Sequence, residues 1–204
     1  IFVGEDGPTH QPVETIASLR AIPNLDVFRP ADGIETSIAW AAAIRKNEGP
    51  TAICLTRQGV PMLERSDDFD PEIIKKGGYI LKKESGIKPD VILVATGSEV
   101  GNAVDARKSL EEQGKSVRVV SMPCLDRYLI QSDAYKASVI HKETPVVVIE
   151  AGIGQGWYAI TRAPFLFIGL DHFGASAPAK KLAEEYGFNG PAVAEMTACW
   201  MKTL

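Results

Sequence analysis

Apolar runs and amphipathic stretches alternate along this chain, with turn-forming residues between them. Runs at 26–29, 51–56, 90–96, 116–121, 145–150 and 165–168 have the length and aliphatic content of strands, several of them buried. Helical spacing of apolar positions is predicted over 12–22, 33–46, 98–113, 132–141, 179–186 and 191–204, with a short helix around 157–161. Asp32 followed by Glu35 forms a capping-box pattern before the second helix. Ser98 and Gly114 supply a start and a stop for the third. A strand at 79–83 carries Lys82 and Lys83, which suits a sheet edge. On the last helix Val193, Thr197, Trp200, Met201 and Leu204 are expected to pack on a sheet. Strand and helix alternate throughout, which predicts an α/β fold with mostly parallel strands.

Residues 59–76 break this rhythm with Gly59, Pro61, Asp67, Asp68 and Pro71. The reading is two units, residues 1–64 and 77–204, joined by a linker over 65–76. Ile1-Phe2-Val3 is apolar, lacks an initiator Met and runs into a glycine-rich loop. It is expected to end a buried strand in a piece of a longer protein.

Composition narrows the classes. The chain has 204 residues, of which 45% are hydrophobic and 24% charged, and a net charge of −4. That length can bury a real core. The negative charge argues against nonspecific nucleic-acid binding, which needs a basic face. No apolar run reaches the roughly 18 residues that a membrane helix needs. Cys54, Cys124 and Cys199 lie far apart without metal or redox spacing, and are expected to be reduced core thiols of a cytosolic protein. With only His10, His141 and His172, a histidine-rich metal site is not expected.

The strongest chemical signal lies in Gly4-Glu5-Asp6-Gly7-Pro8-Thr9-His10-Gln11-Pro12-Val13-Glu14. Gly4, Gly7 and Pro8 favour a tight loop, and Pro12 suits a helix start. Between them stand a carboxylate, Asp6, and an imidazole, His10, groups that hydrogen-bond hydroxyls and move protons near neutral pH. A structural alternative is an Asx-turn at Asp6 and a backbone bond at His10. Arg57 ends the run at 51–56, where open α/β sheets place their ligands. Its fork of donors suits a phosphate, and the alternative is an ion pair with Glu64 or Asp67. The turns at Gly97-Ser98-Glu99 and Gly152–Gly156 follow strands, but neither has dinucleotide-fingerprint spacing. Strand-to-helix geometry explains them, and a nucleotide-binding regulatory module is the competing reading. His141 and His172 are read as structural.

The 4–14 segment resembles the signature of transketolases. The likeness continues through Ser18-Leu19-Arg20, Arg29-Pro30-Ala31-Asp32, Thr56-Arg57-Gln58, Gly77-Gly78-Tyr79, Ala95-Thr96-Gly97-Ser98-Glu99, Glu150-Ala151-Gly152 and Phe173-Gly174. It spans almost the whole chain. Gln11-Pro12-Val13-Glu14 and Thr56-Arg57-Gln58 favour this family over 1-deoxyxylulose-phosphate synthases. The stretch Gly156–Pro164 departs from the family pattern.

The resemblance implies a truncated pyrimidine-type thiamine-diphosphate-binding unit followed by a three-layer α/β C-terminal domain. It implies transfer of a two-carbon ketol unit from a ketose phosphate to an aldose phosphate, in the pentose phosphate pathway. His10 would be catalytic and would bind the substrate's hydroxyls. Asp6 would bind a substrate hydroxyl, and Arg57 the phosphate. The intact enzyme would use thiamine diphosphate with Mg²⁺ or Ca²⁺ and act as a cytoplasmic homodimer on sugar phosphates. No cofactor or metal ligand is assigned in this chain, which is not expected to bind thiamine diphosphate alone. The family's Gly-Asp-Gly…Asn diphosphate motif is absent. A non-catalytic module that binds a separate chain is the remaining alternative.

Overall fold

A computed structural model describes all 204 residues as two α/β units. The first carries α1 (Thr15–Arg20), β1 (Asp26–Phe28), α2 (Gly33–Arg45) and β2 (Thr51–Ile53), with β1 and β2 parallel. The second carries β3 (Tyr79–Lys82), β4 (Val91–Ala95), α3 (Glu99–Glu112), β5 (Val117–Ser121), α4 (Leu125–Leu129), α5 (Asp133–Val139), β6 (Val146–Ile149), β7 (Phe165–Ile168), α6 (Ala179–Glu185) and α7 (Gly190–Met201). Its five strands run in the order β3-β5-β4-β6-β7. All pairs are parallel except β3 with β5, so β3 is an antiparallel edge.

Side chains alternate across this sheet and build a core on each face. Leu93, Val119 and Val147 point to one face, under Val100, Ala103 and Leu110 of α3 and Val193 of α7. Ile92, Val94, Val120 and Val148 point to the other, under Leu125 and Tyr128 of α4 and Val139 of α5. This is the expected three-layer arrangement.

Several local expectations change. Residues 1–3 form a turn, with the Gly4 N–H donating to the Ile1 carbonyl at 3.2 Å. Ile1 and Phe2 pack against the larger core from that turn rather than from a strand. The first helix begins only at Thr15, because residues 8–10 are already spent on a 3₁₀ turn. The helix α4 is unanticipated, since five residues are too few to show periodicity. Cys199 is exposed on α7, Cys54 is half-buried, and only Cys124 is a buried thiol. Leu204 lies beyond the end of α7 and is exposed rather than packed on the sheet.

The carboxyl ends of the strands in the two units face one another. The Arg29 N–H, just past β1, donates to the Pro123 carbonyl at 2.7 Å, and the Gly97 N–H donates to the Arg29 carbonyl at 2.9 Å. The Arg29 guanidinium then enters the second unit. Nη1 donates to Glu150 Oε1 at 2.8 Å, and Nη2 lies 2.9 Å from Glu99 Oε2. Arg20 reaches the Glu150 carboxylate with both Nη atoms, at 2.8 and 2.9 Å, and Trp157 Nε1 donates to Glu150 at 2.5 Å. Glu99 and Glu150 are buried.

Burial alone would raise the Glu150 carboxyl. The charges of Arg20 and Arg29, with bonds from Arg20 and Trp157, reverse this and hold it at about 2. Burial also disfavours the Arg29 cation, but Glu99 and Glu150 outweigh that and raise its pKa.

A second junction stands on the capping box. Asp32 Oδ1 accepts from the Glu35 N–H at 3.0 Å, as the pattern requires. The Glu35 side chain reaches back to the Ala31 N–H at 2.7 Å and then crosses to the second unit. There it accepts from Tyr79 Oη at 2.8 Å and Ser121 Oγ at 2.6 Å. Arg65, in the joining segment, clamps Asp32 at 2.6 and 3.1 Å and also donates to Tyr79 Oη. Residues 65–76 are therefore an ordered strap that ends in a 3₁₀ turn at Pro71–Lys76.

Two outcomes test the first junction. Arg29→Met leaves Glu99 unpaired and Glu150 half-paired in the interior, so urea unfolding is expected to show a loss of about 3–5 kcal/mol. A loss below about 1 kcal/mol, the worth of an exposed pair, would contradict a buried lock. Acid supplies the second. Glu150 has its folded value depressed from 4.5 to about 2. Its contribution is therefore complete above 4.5 and disappears as pH falls towards 2. That contribution is about 3 kcal/mol. Glu35 acts with the opposite sign, because burial raises its carboxyl and protonation relieves that cost. The stability gap between the parent and Glu150→Gln should thus close between pH 4.5 and 2. A gap that stays constant over that range contradicts the assignment.

Candidate active site

The loop that the sequence singles out is built from two consecutive 3₁₀ turns, Gly4–Asp6 and Pro8–His10. Gly4 (φ +74°) and Gly7 (φ +77°) take the left-handed backbone that links them. A side chain at either position would be strained. Asp6 and His10 both point to solvent. Asp6 makes no side-chain hydrogen bond, so no Asx-turn uses its carboxylate. His10 Nδ1 lies 3.1 Å from Thr9 Oγ1, a neighbour that biases the ring orientation and leaves Nε2 free. The loop therefore presents an uncommitted carboxylate and an uncommitted ring nitrogen, four residues apart.

Arg57 follows β2 in an irregular segment and is exposed. It takes part in none of the ion pairs. Of the two competing partners, Glu64 instead lies 3.7 Å from Lys82, and Asp67 is in no ion pair. Arg57 stands beyond the carboxyl end of its strand, free to meet a ligand. Two of the larger clefts lie elsewhere, one of about 480 Å³ lined by Arg20, Asn24, Asp26 and Lys46 and one of about 470 Å³ lined by Lys88, Asp90 and His141. The three candidate side chains are thus surface groups of this chain.

The glycine turns of the second unit have a different use. A Cβ at Gly97 would stand 3.1–3.3 Å from the Arg29 guanidinium, and one at Gly152 would stand 3.0 Å from the Val13 carbonyl. Protein groups from the first unit fill the space that a nucleotide phosphate would take. The competing reading of these turns as a nucleotide cradle fails on that packing. His141 is structural, with Nε2 3.4 Å from Nη2 of Arg118, which is buried against Glu84. His172 is exposed, and its ring packs edge-on to Tyr186 at 5.2 Å.

Residue-by-residue reading missed the groups that hold the loop. Gln11 is 1% exposed, and its Nε2 donates to the carbonyls of Gly4 at 2.8 Å and Ala175 at 3.2 Å. A glutamine carries no motif signal. The Arg29–Glu99–Glu150 cluster had one, since three charges of mixed sign follow closely on three strand ends. Opposite charges at converging strand termini point to a buried network.

No group of three or more His, Cys, Asp or Glu side chains is arranged to hold a metal ion, and no helix is long and apolar enough to cross a membrane.

Comparison with known proteins agrees along the chain. Residues 1–62 match the family model of the transketolase pyrimidine binding domain, and residues 77–189 that of the transketolase-like C-terminal domain. The transketolase of Bacillus subtilis is 45% identical over 95% of this chain, which covers 29% of that protein. The crystal structure of a Pichia stipitis transketolase complexed with sedoheptulose-7-phosphate superposes with a TM-score of 0.90 at 44% identity, covering 99% of this chain and 29% of that one. A split-gene transketolase, described as an inactive β4 tetramer, superposes with a TM-score of 0.72 at 30% identity over 93% of this chain and 62% of its own. The chain spans under a third of the length of the curated relatives it matches. Family models over residues 1–62 and 77–189, relatives 45% identical over 95% of the chain and the superposition of both α/β units place this chain in the transketolase family.

Proposed function

We propose that this chain supplies the substrate-facing part of an enzyme that moves a two-carbon ketol unit from a ketose phosphate to an aldose phosphate. The observation that carries the reading is the loop at residues 4–14. It holds Asp6 and His10 on two consecutive 3₁₀ turns while leaving the Asp6 carboxylate and His10 Nε2 without partners.

The chemistry of the three residues fits such a substrate. The Asp6 carboxylate accepts a hydrogen bond from a sugar hydroxyl near the reacting carbon. The His10 imidazole bonds the donor's hydroxyls and holds or returns a proton at the carbonyl oxygen, a role its ring nitrogens suit because each can donate or accept. Arg57 grips the terminal phosphate through two parallel N–H donors. Anchoring the far end of the sugar turns its remote binding energy into orientation at the carbonyl.

Cleaving a bond next to a carbonyl also needs a sink for the electron pair, which in this family is thiamine diphosphate. We assign cofactor binding to the remainder of a longer enzyme, acting as a cytoplasmic homodimer in the pentose phosphate pathway. Trp40, Ile44, Leu55 and Met62, all more than half exposed on the first unit, give a second copy or the remainder of the enzyme an apolar surface to cover. The units are divided as residues 1–64 and 77–204, with 65–76 as the strap.

A second reading has the split-gene likeness behind it. On that reading this chain is catalytically silent by itself and completes a separate partner chain.

Arg57→Ala in the full-length enzyme tests the site. Losing a charge-assisted bond of about 1.5–3 kcal/mol should raise KM for phosphorylated donors about 10- to 100-fold. Unphosphorylated ketoses should be unaffected. An unchanged KM for the phosphorylated donor would remove Arg57 from the site.

A further inference from the structure

The segment 4–13 has little of its own to keep it in place. Its internal backbone bonds are turn bonds: Gly7 N–H to Gly4 at 3.3 Å, His10 N–H to Gly7 at 3.1 Å and Gln11 N–H to Pro8 at 3.1 Å. Every hydrogen bond that reaches it from a distant part of the chain comes from the second unit. Gln11 Nε2 donates to the Ala175 carbonyl at 3.2 Å, Ser176 Oγ donates to the Glu5 carbonyl, and the Ile153 N–H donates to the Val13 carbonyl at 3.0 Å.

Two of these fasteners bracket the candidate residues. Glu5 immediately precedes Asp6, and Gln11 immediately follows His10. Gln11 also closes the loop on itself through the Gly4 carbonyl at 2.8 Å. Its amide lies so tightly on the second unit that a Cβ at Gly174 would stand 1.7 Å from Gln11 Oε1. That oxygen is buried with no donor, so the side chain is held there by its two donated bonds and its packing.

We propose that Gln11 is a positioning residue, and that Gly174–Ser176 of the C-terminal unit is the seat that sets where Asp6 and His10 stand. This rests on the proposed roles of those two residues. The C-terminal unit then has a defined task in the reaction, as the jig for the substrate loop. A displacement of about 1 Å in a reacting group can cost about 100-fold in rate. A loop tied at three points can shift that far when one tie is cut.

The test uses the full-length enzyme that contains this chain, with Gln11→Met, which keeps the volume and removes both donors, and Ser176→Ala, an exposed site that removes one bond. Two quantities are read below the melting transition: kcat and KM for a ketose phosphate donor, and amide hydrogen exchange of residues 4–10. Gln11→Met should lower kcat/KM about 10- to 100-fold, with the loss falling on kcat as well as KM. It should also speed exchange in the loop. Ser176→Ala should move both quantities in the same direction by less. A variant with a lower Tm but kcat/KM within about twofold of the parent and unchanged exchange would overturn the proposal. If Gln11→Met fails to fold, Ser176→Ala decides, and no change in either quantity overturns it. A parent enzyme without ketol transfer would refute the transferase reading. Loop exchange would then judge the fastening alone, with acceleration supporting it and no acceleration refuting it.

Discussion

Burial of the Arg29 guanidinium between Glu99 and Glu150 is the constraint on which the arrangement of the two units depends. A cation cannot sit unpaired in an apolar interior, and neither can two carboxylates. Once β1 delivers Arg29 to the carboxyl end of the second sheet, the charges require one another. Arg20 and Trp157 complete the set around Glu150. The backbone bonds from Arg29 to Pro123 and Gly97 fix the approach, so the network holds a geometry as well as a charge balance. The Asp32–Arg65–Tyr79–Glu35–Ser121 chain does the same work at the start of the joining strap.

This arrangement explains an oddity of the second unit. Open α/β sheets keep their ligands outside the carboxyl ends of the strands. Here that position is taken by side chains and backbone of the first unit, which the glycines at 97 and 152 admit by lacking a Cβ. The ligand end of one sheet has become the mounting surface for the other unit. The loop at residues 4–14 is fastened next to that surface, through Val13, Gln11 and Glu5. Fold and site are linked there: what stabilises the junction also holds Asp6 and His10.

Much of the architecture is legible in the residues because each element has its own local cause. Asp32 and Glu35 announce a helix start, and the structure shows the bond that the pattern demands. The aliphatic runs at 91–95, 117–121 and 146–149 become central strands because Val, Ile and Leu fill both of their faces, and the one charge inside them, Arg118 in β5, is paired with Glu84. The elements that escape are those without a periodic signal. Helix α4 is too short to display one, and Ile1–Val3 has the composition of a strand but the setting of a turn. Cys199 looks like a core thiol from its apolar neighbours and yet falls on the outer side of α7. Asp6, His10 and Arg57 stand out as candidates because their residue types are unusual in such positions. Their supports do not stand out. Gln11, Ala175 and Ser176 are ordinary residues whose meaning comes only from being brought together across 164 positions of sequence.

The central claim is that the two units form one body, locked through buried charge at their facing strand ends. Scanning calorimetry of residues 1–204 at neutral pH tests it most directly. The account predicts a single transition whose calorimetric and van't Hoff enthalpies agree. Two separable transitions, with the smaller one carried by residues 1–64, would contradict it.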